Sequence, residues 1–364
     1  MKRRDFLKTL AATSAVAGTA GFSRLAEADE PLKVGFIYVG PVGDYGWTYE
    51  HDQGRKYMAK KLGDRVKTTY VENVPETNDA VRVIRELAAK GNKLIYTTSF
   101  GYMNPTMRVA RQFPDTVFES CTGYKLAHNV GSYMPRWYEA RYLTGLIGGV
   151  MTKSNVIGYV APYPIPEVIR GVNAFMIGMR EVNPKATVKV IFVNSWYDPG
   201  KERLAAQTLI TQGADVLNKH TDSPAVIQVA AQKGIYSFGY DSNMKRFGPK
   251  SVLTSIVNDW GPFYEQTTKA VLDGTWQSRA VWHGLKSGMV RLAPLNNDIP
   301  QKTVDKVDQD KKAIEAGKLE IFKGPLKDQA GKVRVPAGQT MGDDAILHMD
   351  YFLEGVQGHL PKSS

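Results

Sequence analysis

Two successive runs of short apolar strands and amphipathic helices constrain this chain more than anything else in its 364 residues. The first run opens at Leu32–Val39 (LKVGFIYV), whose unbroken apolar, β-branched and aromatic content is that of a strand buried on both faces. A helix over about Trp47–Leu62 follows, and further strands are expected at Val66–Glu72, Leu94–Thr98 and Val117–Ser120. Thr77 or Asn78 can cap a helix whose apolar side carries Ala80, Ile84, Leu87 and Ala88 and which Gly91 stops. Asn104–Phe113 and the longer Trp137–Met151 complete the helices of this run. The alternation then restarts. Strands at Val156–Ala161, Val188–Val193, Val216–Asn218, Ile235–Tyr240 and Val252–Val257 are separated by helices over Ile165–Val182 and Gly200–Thr211. A third helix of this run is opened by Ser223-Pro224 and closed by Gly234. Such a pattern implies an α/β fold of two lobes, each a parallel sheet with helices on both faces.

The remainder reads differently: a helix over Phe263–Leu272, an extended Val281–Leu292, a charged helix over Thr303–Ala316, a Gly-, Lys- and Pro-rich stretch to Pro336, and a last amphipathic helix from about Asp343 to Gly355. These elements must pack back on the lobes, which predicts several chain crossings and a hinge. The expected division places 31–152 and about 258–280 in the first lobe, and 153–257 and about 281–361 in the second.

The N-terminus bounds where such a fold would work. Lys2, Arg3, Arg4 and Lys8 precede a mildly apolar run from Leu10 to Phe22, and Ala26-Glu27-Ala28 fits the small-x-small rule for cleavage. The paired arginines before Asp5-Phe6-Leu7-Lys8 predict a twin-arginine export signal over residues 1–28. Its removal takes five basic and two acidic residues, lowering the formal charge from +11 to +8. With no lysine/arginine run longer than three, the basic balance reads as a mixed, solvated surface and not as a nucleic-acid site. No stretch after the signal approaches the ~18 apolar residues of a membrane span. Cys121 is the only cysteine, so no internal disulfide can form, and none stands at the cleavage site to take a lipid. The expectation is an unanchored, periplasmic monomer.

In open parallel sheets, ligands bind beyond the carboxyl ends of the strands. The corresponding loops are Gly40–Trp47, Ser99–Pro105, Ala161–Glu167, Asn194–Gly200, Lys219–Pro224 and Gly239–Asn243. They carry Tyr45, Trp47, Phe100, Tyr102, Tyr163, Trp196 and Tyr197. Aromatics at so many strand exits suggest a cleft that grips something flat, each stacked ring contributing about 1–3 kcal/mol by analogy with base stacking. Catalytic apparatus is missing from the sequence: there is no G-x-S-x-G, Walker loop, H-E-x-x-H or G-x-G-x-x-G. The six histidines lack metal-ligand spacing, and no cofactor is expected.

Several segments resemble the BMP (basic membrane protein) family. They are KVGFIYVGPVGDYGWTYEHDQGR near the start, the SFGYMNP loop, the helix WYEARYLTGLIGG, the GYDSN loop and GLKSGMVRLAPL; GKLEIFKGP and MDYFLEGVQG extend the likeness toward the C-terminus. The family comprises solute-binding proteins of ABC importers, and the chain is similar to its purine-nucleoside receptors from about Leu32 to Pro361. The resemblance implies a type I periplasmic-binding fold of two Rossmann-like lobes joined by three crossovers. It implies a purine stacked between two aromatics, here Trp47, which follows Asp-x-Gly, and Trp196 from the second lobe. It places the base-reading position on Asn104, the ribose-holding aspartate on Asp241 and a late lysine on Lys286, with an ABC permease in the inner membrane as partner.

The chemistry of these side chains accords with those roles. An amide such as Asn104 can pair bidentately with the N6/N7 or N6/N1 edge of adenine. Asp241 can accept from ribose hydroxyls or ring N–H groups, and Lys286 could keep it ionised. Tyr45, Phe100 and Tyr102 complete the expected binding set. Because an amide stands at 104 where the family has an acid, a bare base such as adenine leads and a nucleoside comes second. A nucleoside-acting hydrolase and a ligand-presenting sensor remain the alternatives; the scattered acids Asp44, Glu167, Asp198, Asp222 and Asp241 disfavour the former.

Overall fold

The computed structural model describes residues 30–360, so the predicted export segment at 1–28 lies outside the described residues. The first run comprises β1 (Leu32–Ile37), α1 (Gly46–Leu62), β2 (Val66–Val71), α2 (Asn78–Ala89), β3 (Leu94–Thr97), α3 (Met103–Ala110), β4 (Val117–Cys121), β5 (Val130–Pro135) and α4 (Trp137–Met151). The second comprises β6 (Val156–Ala161), α5 (Pro166–Val182), β7 (Thr187–Phe192), α6 (Pro199–Thr211), β8 (Val216–Lys219), α7 (Ala225–Gln232), β9 (Tyr236–Gly239) and β10 (Val252–Asn258). After it come α8 (Gly261–Leu272), β11 (Ala280–His283), β12 (Val290–Leu292), α9 (Gln301–Glu315), β13 (Leu326–Lys327), β14 (Val333–Val335), α10 (Asp343–Leu347) and β15 (Val356–Gln357).

Local chemistry accounts for these boundaries. Val34, Phe36 and Ile37 of β1 are wholly buried, as an apolar strand covered on both faces requires. Thr77, not Asn78, caps α2, its hydroxyl accepting the Asp79 N–H at 3.3 Å. Asp198 Oδ1 accepts the Lys201 N–H at 3.0 Å and so starts α6 at Pro199. Ser223 Oγ accepts the Ala225 N–H at 3.2 Å, which begins α7 one residue after Pro224.

The strands form two large sheets. One has the order β11-β5-β4-β3-β1-β2 and is parallel throughout; the other runs β12-β10-β9-β8-β6-β7-β15, with only the edge strand β12 antiparallel. Each sheet with its helices is a lobe. The chain passes between the sheets three times: between β5 and β6, β10 and β11, and β11 and β12.

Three features depart from the sequence reading. β5 was not expected, because Gly131, Ser132 and Pro135 interrupt its apolar run; yet all six of its residues are buried between β4 and β11. Gly131 is required there, since a Cβ would come within 2.8 Å of the buried Glu119 carboxylate. Second, α4 packs on α5 and belongs with the second sheet, so the chain leaves the first lobe near Arg136 and not at 152–153. The contact is backbone to backbone: a Cβ on Gly145 would collide with the Phe175 carbonyl, and one on Gly178 with that of Tyr142. Similarly, β11, which the expected boundary at 280–281 would split, pairs wholly with β5 in the first sheet. Third, the helix expected to Gly355 ends at Leu347. Its continuation gives its backbone to other partners: Phe352 O accepts the Gln329 N–H, and β15 pairs with β7.

Candidate functional site

The carboxyl ends of both sheets meet around a small cavity. Val39, Trp47, Ser99, Phe100 and Thr122 line it from the first lobe, and Glu167, Trp196, Asp222, Tyr240 and Asp241 from the second.

The first aromatic wall is Trp47, in the opening turn of α1. Its indole N–H donates to Thr98 O at 2.7 Å, tying the ring to the end of β3. His51 and Trp260 buttress it edge-on, with ring centroids 4.4 and 5.4 Å away. The turn before it reaches across the cleft, Gly46 N–H donating to Ser242 Oγ at 2.9 Å. The second wall is Trp196, in the loop after β7. Tyr163 stands edge-on to it at 5.4 Å, and Trp196 O accepts the Asp222 N–H at 2.9 Å.

Carboxyl groups form much of the remaining surface. Asp241 follows β9 with φ +64, a left-handed conformation uncommon outside glycine. Its Oδ1 accepts from Asn258 Nδ2 at 2.9 Å, and its carboxyl also hydrogen-bonds to that of Asp222. Burial raises its pKa, and the buried Lys219 ammonium partly opposes that rise. Burial and then the Asp241 charge push Asp222 well above the carboxylate range, so the pair retains a proton toward neutrality. Lys219 is fixed beneath them by donating to Thr221 O and to Met244 Sδ. Glu167, in the first turn of α5, leaves its Oε2 unpartnered, and burial pushes its carboxyl up to about 7. Its Oε1 lies 3.3 Å from Nε2 of His220, which burial keeps neutral and which also meets the Tyr240 hydroxyl at 2.9 Å. The buried Arg141 guanidinium stacks over Tyr240 at 4.3 Å and holds that ring in place.

Carboxyl groups that line a cavity together with two indoles can accept from, and when protonated donate to, a planar heterocycle bearing both N–H groups and ring nitrogens. Thr122, like Asp241, is left-handed at φ +59, and both are cavity residues at strand ends. For a β-branched residue that backbone is strained, as is common where a site is over-determined by its surroundings.

Of the expected binding residues, the structure gathers Trp47, Trp196, Phe100 and Asp241. Tyr45 lines an adjoining recess with Gly40, Thr48 and Tyr197. Tyr102 is buried behind the wall, its hydroxyl donating to Val74 O at 2.5 Å. Asn104 is exposed on α3, where its Oδ1 accepts from Lys125 Nζ at 2.8 Å, and it does not line the cavity. Lys286 is exposed in the turn between β11 and β12 and lines a different groove, with Arg136 and Trp282. The cation expected beside Asp241 is therefore Lys219. The sequence places Lys219 one residue past an expected strand, and only the packing of β8 inside the second sheet shows it to be buried. Glu167 and Asp222 were visible only as scattered acids, and Tyr240 and Thr122 carried no signal. Among the described residues, no three His, Cys, Asp or Glu side chains come together to hold a metal ion, and no helix is long and apolar enough to cross a membrane.

Comparison with known proteins agrees with this geometry. The Bmp family model, described as ABC transporter substrate-binding protein PnrA-like, matches residues 32–321. A purine-binding protein of Brucella abortus is 50% identical over 349 residues, 95% of this chain and 99% of its own length. A protein of Haloferax volcanii named as a candidate ABC transporter glucose-binding protein is 38% identical over 333 residues, 91% of this chain and 82% of its own. Among solved structures, an ABC transporter solute-binding protein of Aeropyrum pernix shares the fold at a TM-score of 0.69 and 20% identity, covering 82% of this chain and 93% of that one.

Proposed function

The chain belongs to the Bmp family of ABC transporter substrate-binding proteins, and on that premise we propose that it captures a purine in the cleft between its lobes, an adenine-like base ahead of a nucleoside. One observation carries this reading: Trp47 and Trp196 line one cavity from opposite lobes, together with the carboxyls of Asp241 and Glu167. Indole faces suit a flat heterocycle, and each stacked base contributes about 1–3 kcal/mol. A protonated carboxyl paired edge-on with a purine both donates to a ring nitrogen and accepts from the adjacent N–H. That is the bidentate recognition first ascribed to Asn104, which here faces solvent. The likeness to the purine-binding protein of Brucella abortus supports the same ligand class.

In this reading the protein performs no chemistry. It works in the periplasm as an unanchored monomer and delivers its ligand to a permease in the inner membrane. Closure is the working step, because a ligand held by both lobes stabilises the closed form by its differential affinity for it. Calorimetry with adenine, adenosine, guanosine, hypoxanthine and glucose tests the proposal. Adenine is expected to bind most tightly, adenosine next, with no heat from glucose. Heat from glucose and from none of the purines would overturn the reading.

A further inference from the structure

We propose that Glu76 is a positioning residue that clasps Trp196 from the opposite lobe, so that closing the cleft and setting its second aromatic wall are one event. Glu76 lies in the first lobe, in the loop between β2 and α2. Its Oε1 accepts from Ser99 Oγ at 2.5 Å and from the Gly101 N–H at 2.8 Å. Its Oε2 lies 3.3 Å from the indole N–H of Trp196, which donates across the cleft. The seat is shaped for this carboxylate: a Cβ on Gly101 would come within 2.5 Å of Glu76 Cδ, so only glycine leaves room for it.

The two tryptophans are thus held differently. Trp47 is oriented by its own lobe, through Thr98 O at the end of β3. Trp196 takes its backbone bond from the second lobe, at Asp222 N–H, but its indole N–H is received by the first. When the lobes separate, that bond must break and the ring loses the contact that sets its plane. The carboxylate itself stays in place, held by Ser99 and Gly101. Glu76 therefore acts through Trp196 and does not itself line the cavity. A charge-assisted hydrogen bond made only in the closed state favours that state, and it slows ligand escape more than it speeds capture.

The inference rests on the cleft reading above but not on the identity of the solute. The test is a double-mutant cycle on affinity and dissociation rate, using Glu76→Ala and Trp196→Phe, which keeps an aromatic face and removes the N–H. Adenine is the probe, or glucose should glucose and no purine bind to the unaltered chain, so the purine reading and the clasp fail separately. Each single change is expected to weaken binding about 5- to 10-fold, mostly through faster dissociation, at the low end for a charge-assisted hydrogen bond because both groups are partly exposed. The double variant is expected to be no weaker than the poorer single. Glu76→Gln, which refills the seat but turns an amide group toward one of its two sets of donors, should behave like Glu76→Ala in the parent. In the Trp196→Phe background it should change nothing. Losses that multiply across the cycle would overturn the clasp, because a purely structural role for Glu76 would act regardless of the indole N–H.

Discussion

Replacing both Trp47 and Trp196 with alanine is expected to weaken adenine binding about 30- to 10⁴-fold, since two stacked faces contribute about 1–3 kcal/mol each and 1.4 kcal/mol is tenfold. The two positions should differ in their side effects. Trp47 packs against His51, Trp137 and Trp260, so its truncation opens a void in the first lobe and lowers the melting temperature as well as affinity. Trp196 is partly exposed and touches mainly Tyr163 and Glu76, so its truncation should leave stability nearly unchanged. Trp47→Phe separates the effects, retaining a ring face while giving up the bond to Thr98 O. Fluorescence titration of the four variants checks this. A loss below about threefold for the double alanine variant would remove stacking from the account, being less than one ring's minimum share.

Asp241 provides the second large effect, with two substitutions that divide binding from folding. Asp241→Asn keeps an oxygen for Asn258 Nδ2 and tolerates the left-handed backbone at φ +64. It removes the carboxyl facing the cavity, and affinity should fall about 10- to 100-fold, the range for a hydrogen bond to a buried charged or proton-sharing group. Asp241→Ala should lose the same affinity and about 2–4 kcal/mol of stability besides, from strain at positive φ and a buried amide donor left without its acceptor. Calorimetry and thermal unfolding of both variants check the split. Equal stability losses for asparagine and alanine would show that the carboxylate is structural.

How much of this was legible in the sequence depends on whether one segment contained the decisive partner. β1, α2 and the strand-exit position of Trp47 were readable because an apolar run, a capping threonine and a loop are local facts. β5 was not, since its burial comes from β4 and β11 on either side and its Gly131 leaves room for Glu119. Helix α4 was found but placed in the wrong lobe. Nothing within Trp137–Met151 says that Gly145 will lie against the Phe175 carbonyl. The same limit governs the site. Asn104 falls in the expected strand-exit segment but lies on α3, where its side chain turns toward Lys125 at the surface. Lys219 follows the expected strand Val216–Asn218 and Lys286 lies within the expected extended segment Val281–Leu292, and only the packing of β8 inside the second sheet puts the former beside Asp241. Glu76, 120 residues from the indole it receives, could not be found without the closed arrangement of the two lobes.

The central claim is that one purine ring lies between Trp47 and Trp196. Diffraction from crystals of the chain grown with saturating adenine tests it most directly. The account predicts a ring parallel to both indoles, with one edge toward Asp241 and Glu167. Adenine bound elsewhere, or a cleft left empty at saturation, would contradict it.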